Sequence, residues 1–219
     1  MENNKGAIFL SLKNKIEESD SFVKNYIFSR NHQKIEDEFL LKALENLSLV
    51  KINEGKTYQT YSNESKKLIL IPLSGAIGNN ITEEILVSGE VQMLGNENNI
   101  ILENLAEGNC SEFLEIKINP NFGVLKADIK AFEVLNNQLS AIIETQNAGI
   151  FLGKYTYRQD LLFERKENFN FFVYVVWGSF EINDRLVNQG DALSMKNCKS
   201  LEGESLSQES IVLIIIEEK

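Results

Sequence analysis

Histidine is almost missing from this chain: His32 is the only one among 219 residues. That scarcity excludes a site built from several imidazoles, and it leaves Ser/His/Asp catalysis or imidazole-dependent epimerase chemistry with a single candidate base. His32 stands in a polar segment, SRNHQK, and reads as a surface side chain. Cysteine is equally scarce. Cys110 and Cys198 lie far apart without CxxC or Cys/His spacing, which argues for reduced thiols on loops rather than a disulfide or a zinc site. Basic residues are outnumbered 22 to 32, giving a net charge of −10. A phosphate backbone or an anionic membrane surface would be repelled unless a basic patch were segregated. The adjacent basic pairs Lys66-Lys67 and Arg165-Lys166 make no such patch and read as solvated strand ends. Direct nucleic-acid binding and membrane binding are therefore not expected. Long apolar runs are absent as well, and Ala7 to Leu12 (AIFLSL) is too short for a signal-peptide core, so a cytoplasmic location is expected. Gly75-Ala-Ile-Gly78 lacks the strand-to-helix setting of a phosphate-binding loop.

What the chain does have is 43% hydrophobic content and a duplicated plan. Leu68 to Val91 (LILIPLSGAIGNNITEEILVSGEV) and Phe169 to Ala192 (FNFFVYVVWGSFEINDRLVNQGDA) each run from an apolar strand to a glycine, Gly75 or Gly178. Each then has a short apolar strand, a polar turn and a Gly-acid pair, Gly89-Glu90 or Gly190-Asp191. A glycine between apolar runs supplies the positive-φ turn that returns a strand, so two copies argue for two related β domains. Further short strands are predicted at Ala7–Leu12, Lys67–Leu73, Ala76–Ile77, Glu84–Leu86, Val91–Leu94, Ile100–Leu105 and Glu112–Ile118 in the first half. In the second half they fall at 138–144, 148–157, 161–163, 171–177, 179–182, 186–187 and 210–216, the last apolar on both faces and so buried. Lys13 to Lys34 shows no periodic stripe and reads mostly as loop; Phe39 to Ile52 reads as helix in its first half and strand at its end. The stretch Ile118 to Val124, with Pro120 and Gly123, is the expected boundary, giving domains 1–119 and 120–219. The cluster Phe169, Phe171, Phe172, Tyr174 and Trp177 reads as barrel core, with the lining of a ligand cavity as the other option. On the core reading, truncating Trp177 would cost about 3–5 kcal/mol.

Three places carry a family resemblance. Gly55 to Lys67 (GKTYQTYSNESKK), followed at a set distance by Gly75, has the spacing of the cupin motif G(x)5HxH(x)3E. Gly89 to Leu94 (GEVQML) is similar to a GDVQ(x)M segment, and Glu112 to Ile118 (EFLEIKI) to a strand of the form ExxQxWI. In the second half, Val175-Val-Trp-Gly178-Ser-Phe, Asn183 and Gly190-Asp-Ala192 are similar to VVxGSLxVNG…GDA. These segments resemble the pirin-like bicupins, whose members include quercetin 2,3-dioxygenases and transcriptional cofactors. The resemblance implies an all-β fold of two tandem cupin (double-stranded β-helix, jelly-roll-like) barrels, with the N-terminal strand packed on the C-terminal barrel. It also implies a divalent metal held by HxH, a third histidine and a glutamate. Here those positions fall on Tyr61, Asn63, Leu102 and Asn104; Glu103 is one residue out of register, which in a strand turns it to the other face. The acids Glu83, Glu84, Glu103, Glu107, Glu112 and Glu115 scatter over turns and strand faces and read as solvated charges. No metal or other cofactor is expected. The sequence thus predicts a degenerate metal centre and a non-catalytic protein that binds a small molecule or a protein partner in a cavity walled by Tyr61, Asn63, Leu102 and Asn104. A metal-dependent quercetin 2,3-dioxygenase with an unrecognised site is the alternative, and a homodimer through the second barrel stays open.

Overall fold

A computed structural model describes residues 6–30, 41–119 and 129–218. Apart from one 3-10 turn, Ser11–Lys13, its regular structure is β-strand. In chain order the strands are β1 (Gly6–Phe9), β2 (Lys15–Glu18), β3 (Phe22–Ser29), β4 (Leu44–Ile52), β5 (Thr57–Thr60), β6 (Lys67–Ser74), β7 (Ala76–Asn79), β8 (Leu86–Val87), β9 (Glu90–Leu94), β10 (Ile100–Asn104) and β11 (Ser111–Ile118). They continue as β12 (Ile129–Ala131), β13 (Gln138–Glu144), β14 (Ala148–Thr156), β15 (Asp160–Trp177), β16 (Ser179–Ile182), β17 (Arg185–Asn188), β18 (Ala192–Ser205) and β19 (Glu209–Glu218). This is the all-β architecture expected. Among the described residues no helix is long and apolar enough to cross a membrane.

The chain forms two compact units. The first holds described residues 14–30, 43–119 and 129–132; the second holds 6–13, 41–42 and 133–218. In the first, a seven-stranded sheet (β12-β9-β6-β11-β4-β3-β2) faces a four-stranded one (β5-β10-β7-β8). Between them lies an apolar cluster that includes Val50, Ile52, Leu68, Leu70, Ile100, Leu102 and Phe113. In the second, β13-β14-β19-β15-β18-β16-β17 make one sheet, with β1 added on β18. Its core includes Phe151, Phe163, Phe171, Phe180 and Ile214. β19 lies between β14 and β15, and Val212 to Glu217 are buried, as a run apolar on both faces requires.

The duplicated plan is real down to single hydrogen bonds. Gly75 and Gly178 adopt φ of 76° and 74°, and Gly89 and Gly190 adopt 88° and 84°, a region closed to most L-residues. Behind the first glycine of each copy stands a serine, Ser111 in one unit and Ser210 in the other. An added Cβ on Gly75 would lie 2.8 Å from Ser111 Cα, and one on Gly178 3.0 Å from Ser210 Cα. The Ser111 hydroxyl lies 2.9 Å from the Ala76 carbonyl; the Ser210 hydroxyl donates to the Ser179 carbonyl at 3.3 Å. Asn104 pairs with Ser111 as Ser205 pairs with Ser210, and the next residues, Leu105 and Leu206, each donate a backbone N–H at 2.9 Å to Ala76 and Ser179.

Several expectations change. The stretch read as loop, Lys13 to Lys34, supplies β2 and β3, because Phe22, Lys24 and Tyr26 alternate with residues of the opposite face while β4 offers a hydrogen-bonding edge. The described part of 39–52 is extended, with Leu44–Ile52 as β4, and shows no helix. Cys198 is not on a loop: it is buried in β18, and burial pushes its thiol up, while Cys110 lies in a loop and both are free. Arg165 is no solvated strand end, for its guanidinium ion-pairs with Glu144 and lies 5.0 Å from the Phe163 ring centroid. Trp177 is 54% exposed, at the end of β15 where a register shift against β19 turns its side chain outward, whereas Phe171, Phe172 and Tyr174 are buried. The Pro120–Gly123 boundary and His32 lie outside the described residues. A single cut at 119/120 does not follow the two compact units, since β1 bonds into the second and β12 pairs with β9 of the first.

Gly75→Ala and Gly178→Ala should each destabilise by more than about 1–2 kcal/mol, since strain at positive φ adds to overlap with a serine. Gly55→Ala, at φ 60° with no atom within 4 Å, should show the strain alone. Trp177→Ala should cost no more than about 1 kcal/mol. Urea midpoints of the four variants check all three statements.

Candidate functional site

The first unit buries charge. Side chains alternate along a strand, so Phe22, Lys24 and Tyr26 of β3 share a face, as do Phe113, Glu115 and Lys117 of β11. β11 is central, paired with β4 on one side and β6 on the other, and from Phe113 to Ile118 it is buried on both faces. Glu115, read from the sequence as a solvated charge, is instead fully buried, while Lys24 and Lys117 are 5% and 8% exposed. The interior changes character along its length, from Val50, Ile52 and Phe113 at the apolar end to Asn46, Ser48, Glu115 and Lys117 at the other.

Lys24 Nζ donates to Glu115 Oε1 and to the Tyr58 hydroxyl, both at 2.6 Å. The Tyr58 hydroxyl donates to Glu115 Oε2 at 2.9 Å, closing a triangle. Lys24 Nζ also lies 4.7 Å from the Tyr26 ring centroid and 5.3 Å from that of Tyr58, where the ring faces add attraction for the cation. Burial alone would raise the Glu115 carboxyl, but the charges of Lys24 and Lys117 outweigh it and hold the group below the ordinary carboxylate value. Burial, then the Glu115 charge and hydrogen bond, push the Tyr58 phenol far above its ordinary value. Lys117 is pushed down by burial, with Lys24 and Lys66 adding repulsion and Glu115 opposing them. Its Nζ sits 3.7 Å from the Tyr61 ring centroid. Lys24, Tyr26, Tyr58 and Lys117 line a cavity of about 260 Å³, to which Thr60, Tyr61 and Lys66 also contribute walls.

Of the four residues read from the motif spacing, Tyr61 alone lines this cavity. β5 ends at Thr60, its inward positions are Tyr58 and Thr60, and Tyr61 is 46% exposed just beyond the strand. Asn63 makes a turn: its Oδ1 accepts from the Ser65 N–H at 2.9 Å and the Ser65 hydroxyl at 2.8 Å. Leu102 is fully buried in the apolar cluster, opposite Tyr58 in register. Asn104 has every hydrogen-bonding position occupied. Its amide donates to the Ile52 and Asn109 carbonyls at 3.2 and 2.7 Å, and its oxygen accepts from the Ala106 N–H and the Ser111 hydroxyl at 2.9 and 2.5 Å. It belongs to the glycine-serine lock of the duplicated turn.

Lys24, Tyr58, Glu115 and Lys117 escaped the motif reading. Glu115 and Lys117 carried a signal, since they interrupt one face of EFLEIKI, a strand whose other face is apolar from Leu114 onward through Ile116 and Ile118. A metal does not fit this interior. Its donors are two ammonium groups, a phenol and a carboxylate already bound to Lys24; lysines repel a cation, and no imidazole is among them. Among the described residues no three His, Cys, Asp or Glu side chains are grouped as a metal would need.

The geometry so far defines a protein of two cupin-type β units, one with a polar interior. Residues 137–216 match the family model of the quercetinase C-terminal cupin domain. That match lies in the second unit, and the fold of the chain as a whole is that of two tandem cupin domains. Solved structures agree in fold: YhhW from Escherichia coli at 13% identity and TM-score 0.81 over 98% of this chain and 99% of that one. A second structure of that protein, described as a bacterial pirin in complex with nickel(II), gives 12% and 0.79 over 98% and 100%. Quercetin 2,3-dioxygenase from Acinetobacter baumannii gives 12% and 0.74 over 97% and 85%. No curated protein matches in sequence.

Removing one member of the triangle should be costly. Glu115→Gln should destabilise by about 3–5 kcal/mol because Lys24 is left buried without a counter-ion, whereas Lys24→Met combined with Glu115→Leu should recover most of the loss. The pH dependence has a definite sign. Between the lowered folded value of Glu115 and the unfolded value of about 4.3, the unfolded chain takes up the proton first. Its contribution is therefore complete above about pH 4.3 and is lost as pH falls through the folded value. Urea midpoints measured down an acid series should show that loss in the natural protein and not in the double variant.

Proposed function

We propose that this chain is a non-catalytic bicupin that binds a small molecule in the polar cavity of its first unit. The observation that carries this reading is the interior chemistry. Where a metal enzyme of this fold needs neutral donors around an open coordination position, Lys24, Glu115 and Tyr58 satisfy one another, and Lys117 stands beside them. The cavity, about 260 Å³, falls just under the ~300–1,000 Å³ of sites that take drug-sized ligands, which favours a metabolite-sized occupant. A cytoplasmic location accompanies this reading, consistent with two free cysteines.

The second reading is a metal-dependent oxygenase of the quercetin 2,3-dioxygenase kind. Fold likeness supports it, since one structure of similar fold is such an enzyme and another holds nickel(II). Function resides in the site rather than in the fold, however, and here the ammonium groups oppose a cation. Protein purified without chelators should contain well under one iron, nickel, zinc or copper per chain and should consume no oxygen with flavonols. About one tightly held transition metal per chain, with flavonol-dependent oxygen uptake, would replace our reading with the second.

A further inference from the structure

The proposed cavity has two buried polar groups whose hydrogen bonds are not made. Thr60 is 5% exposed and lines the cavity, and its Oγ1, though near Tyr58 and Glu115, makes no hydrogen bond of good geometry to either. Lys117 is 8% exposed and lines the same cavity; among the described residues no carboxylate is ion-paired with its Nζ, whose close neighbour is the face of Tyr61 at 3.7 Å. A ring face attracts an ammonium but accepts no conventional hydrogen bond of full strength. The acids lining the cavity, and Glu115 behind Lys24 and Tyr58, are already engaged. Glu115 is held by Lys24 and Tyr58, Glu17 accepts the Tyr26 hydroxyl at 2.9 Å, and Glu45 is paired with Arg30 at 3.4 Å and Lys66 at 3.6 Å. Two buried lysines therefore face one buried carboxylate, and the missing partner is one negative charge.

Resting on the small-molecule reading above, we infer that the cavity is a site for a small, flat monocarboxylate, whose oxygens accept from Lys117 Nζ and the Thr60 hydroxyl. The walls fit such a body, because Phe22, Tyr26, Tyr58 and Tyr61 offer aromatic surface around the charge. A polyanion is disfavoured: one charge balances the interior, and the chain as a whole is at −10. Anion and ammonium are mutually stabilising when both are withdrawn from water and fully hydrogen-bonded, so the carboxylate supplies what burial denies Lys117.

Isothermal titration calorimetry of the full chain with benzoate, benzamide and benzylammonium separates the terms. Benzoate should bind at least about tenfold more tightly than benzamide, a gap of about 1.4 kcal/mol, and benzylammonium should not bind. Lys117→Gln should lower benzoate affinity to that of benzamide, Lys117→Arg should retain a preference for benzoate, and Thr60→Val should weaken benzoate several-fold. The comparison of the three probes on the unmodified protein needs no variant to fold. Equal binding of benzoate and benzamide, or benzoate binding untouched by Lys117→Gln, would overturn the carboxylate assignment while leaving a ligand cavity. Absence of binding by all three at millimolar concentration would count against the small-molecule reading as well.

Discussion

The first unit depends on a charge that cannot reach water. Glu115 occupies a strand with neighbours on both sides, and an ionised carboxylate in such a place is tolerable only when paired and hydrogen-bonded on both oxygens. Lys24 and Tyr58 meet that demand from β3 and β5, which belong to different sheets. The triangle therefore ties the two sheets of the unit together at their polar end, as hydrocarbon packing does at the other. Such pairs contribute little net stability over apolar replacements, but they penalise any arrangement that separates them. Here they fix which face of β3 looks inward.

The same arrangement accounts for what the sequence revealed and what it concealed. The paired glycines were legible because positive φ leaves few choices of residue, and Gly75, Gly89, Gly178 and Gly190 have it. Strand existence was legible wherever alternation was apolar. β3 was not, since Lys24 and Tyr26 occupy inward positions that a hydropathy pattern marks as outward. Motif spacing placed Tyr61 and Asn63 at ligand positions, yet β5 stops at Thr60, so register in space departs from register in the string. Trp177 misled for a related reason. Most aromatics of its run are core, but a register shift before it turns the last one outward.

Duplication and divergence are separable in this molecule. The turn lock of glycine, serine and a polar residue at the preceding strand end is kept in both units, as Gly75, Ser111 and Asn104 in one and Gly178, Ser210 and Ser205 in the other. It involves backbone geometry that few other residues satisfy. The interiors were freer to change. One is a cluster of aromatic and aliphatic side chains, while the other carries ammonium, carboxylate and phenol groups at one end. Asn104 lies at the junction of these two histories: the position that the motif marks for a metal ligand is committed to the lock.

The pairing of β1 with β18 has a consequence for biosynthesis. Gly6 bonds in register with Met195, so β1, once made, must wait until β18 has followed it off the ribosome. At about 5–20 residues per second that interval is roughly ten to forty seconds, during which β1 has no partner strand. The first unit, by contrast, has all its described strands once Ala131 is out. Its early completion would leave β1 unpaired on the nascent chain, the state in which a chaperone would have most to protect.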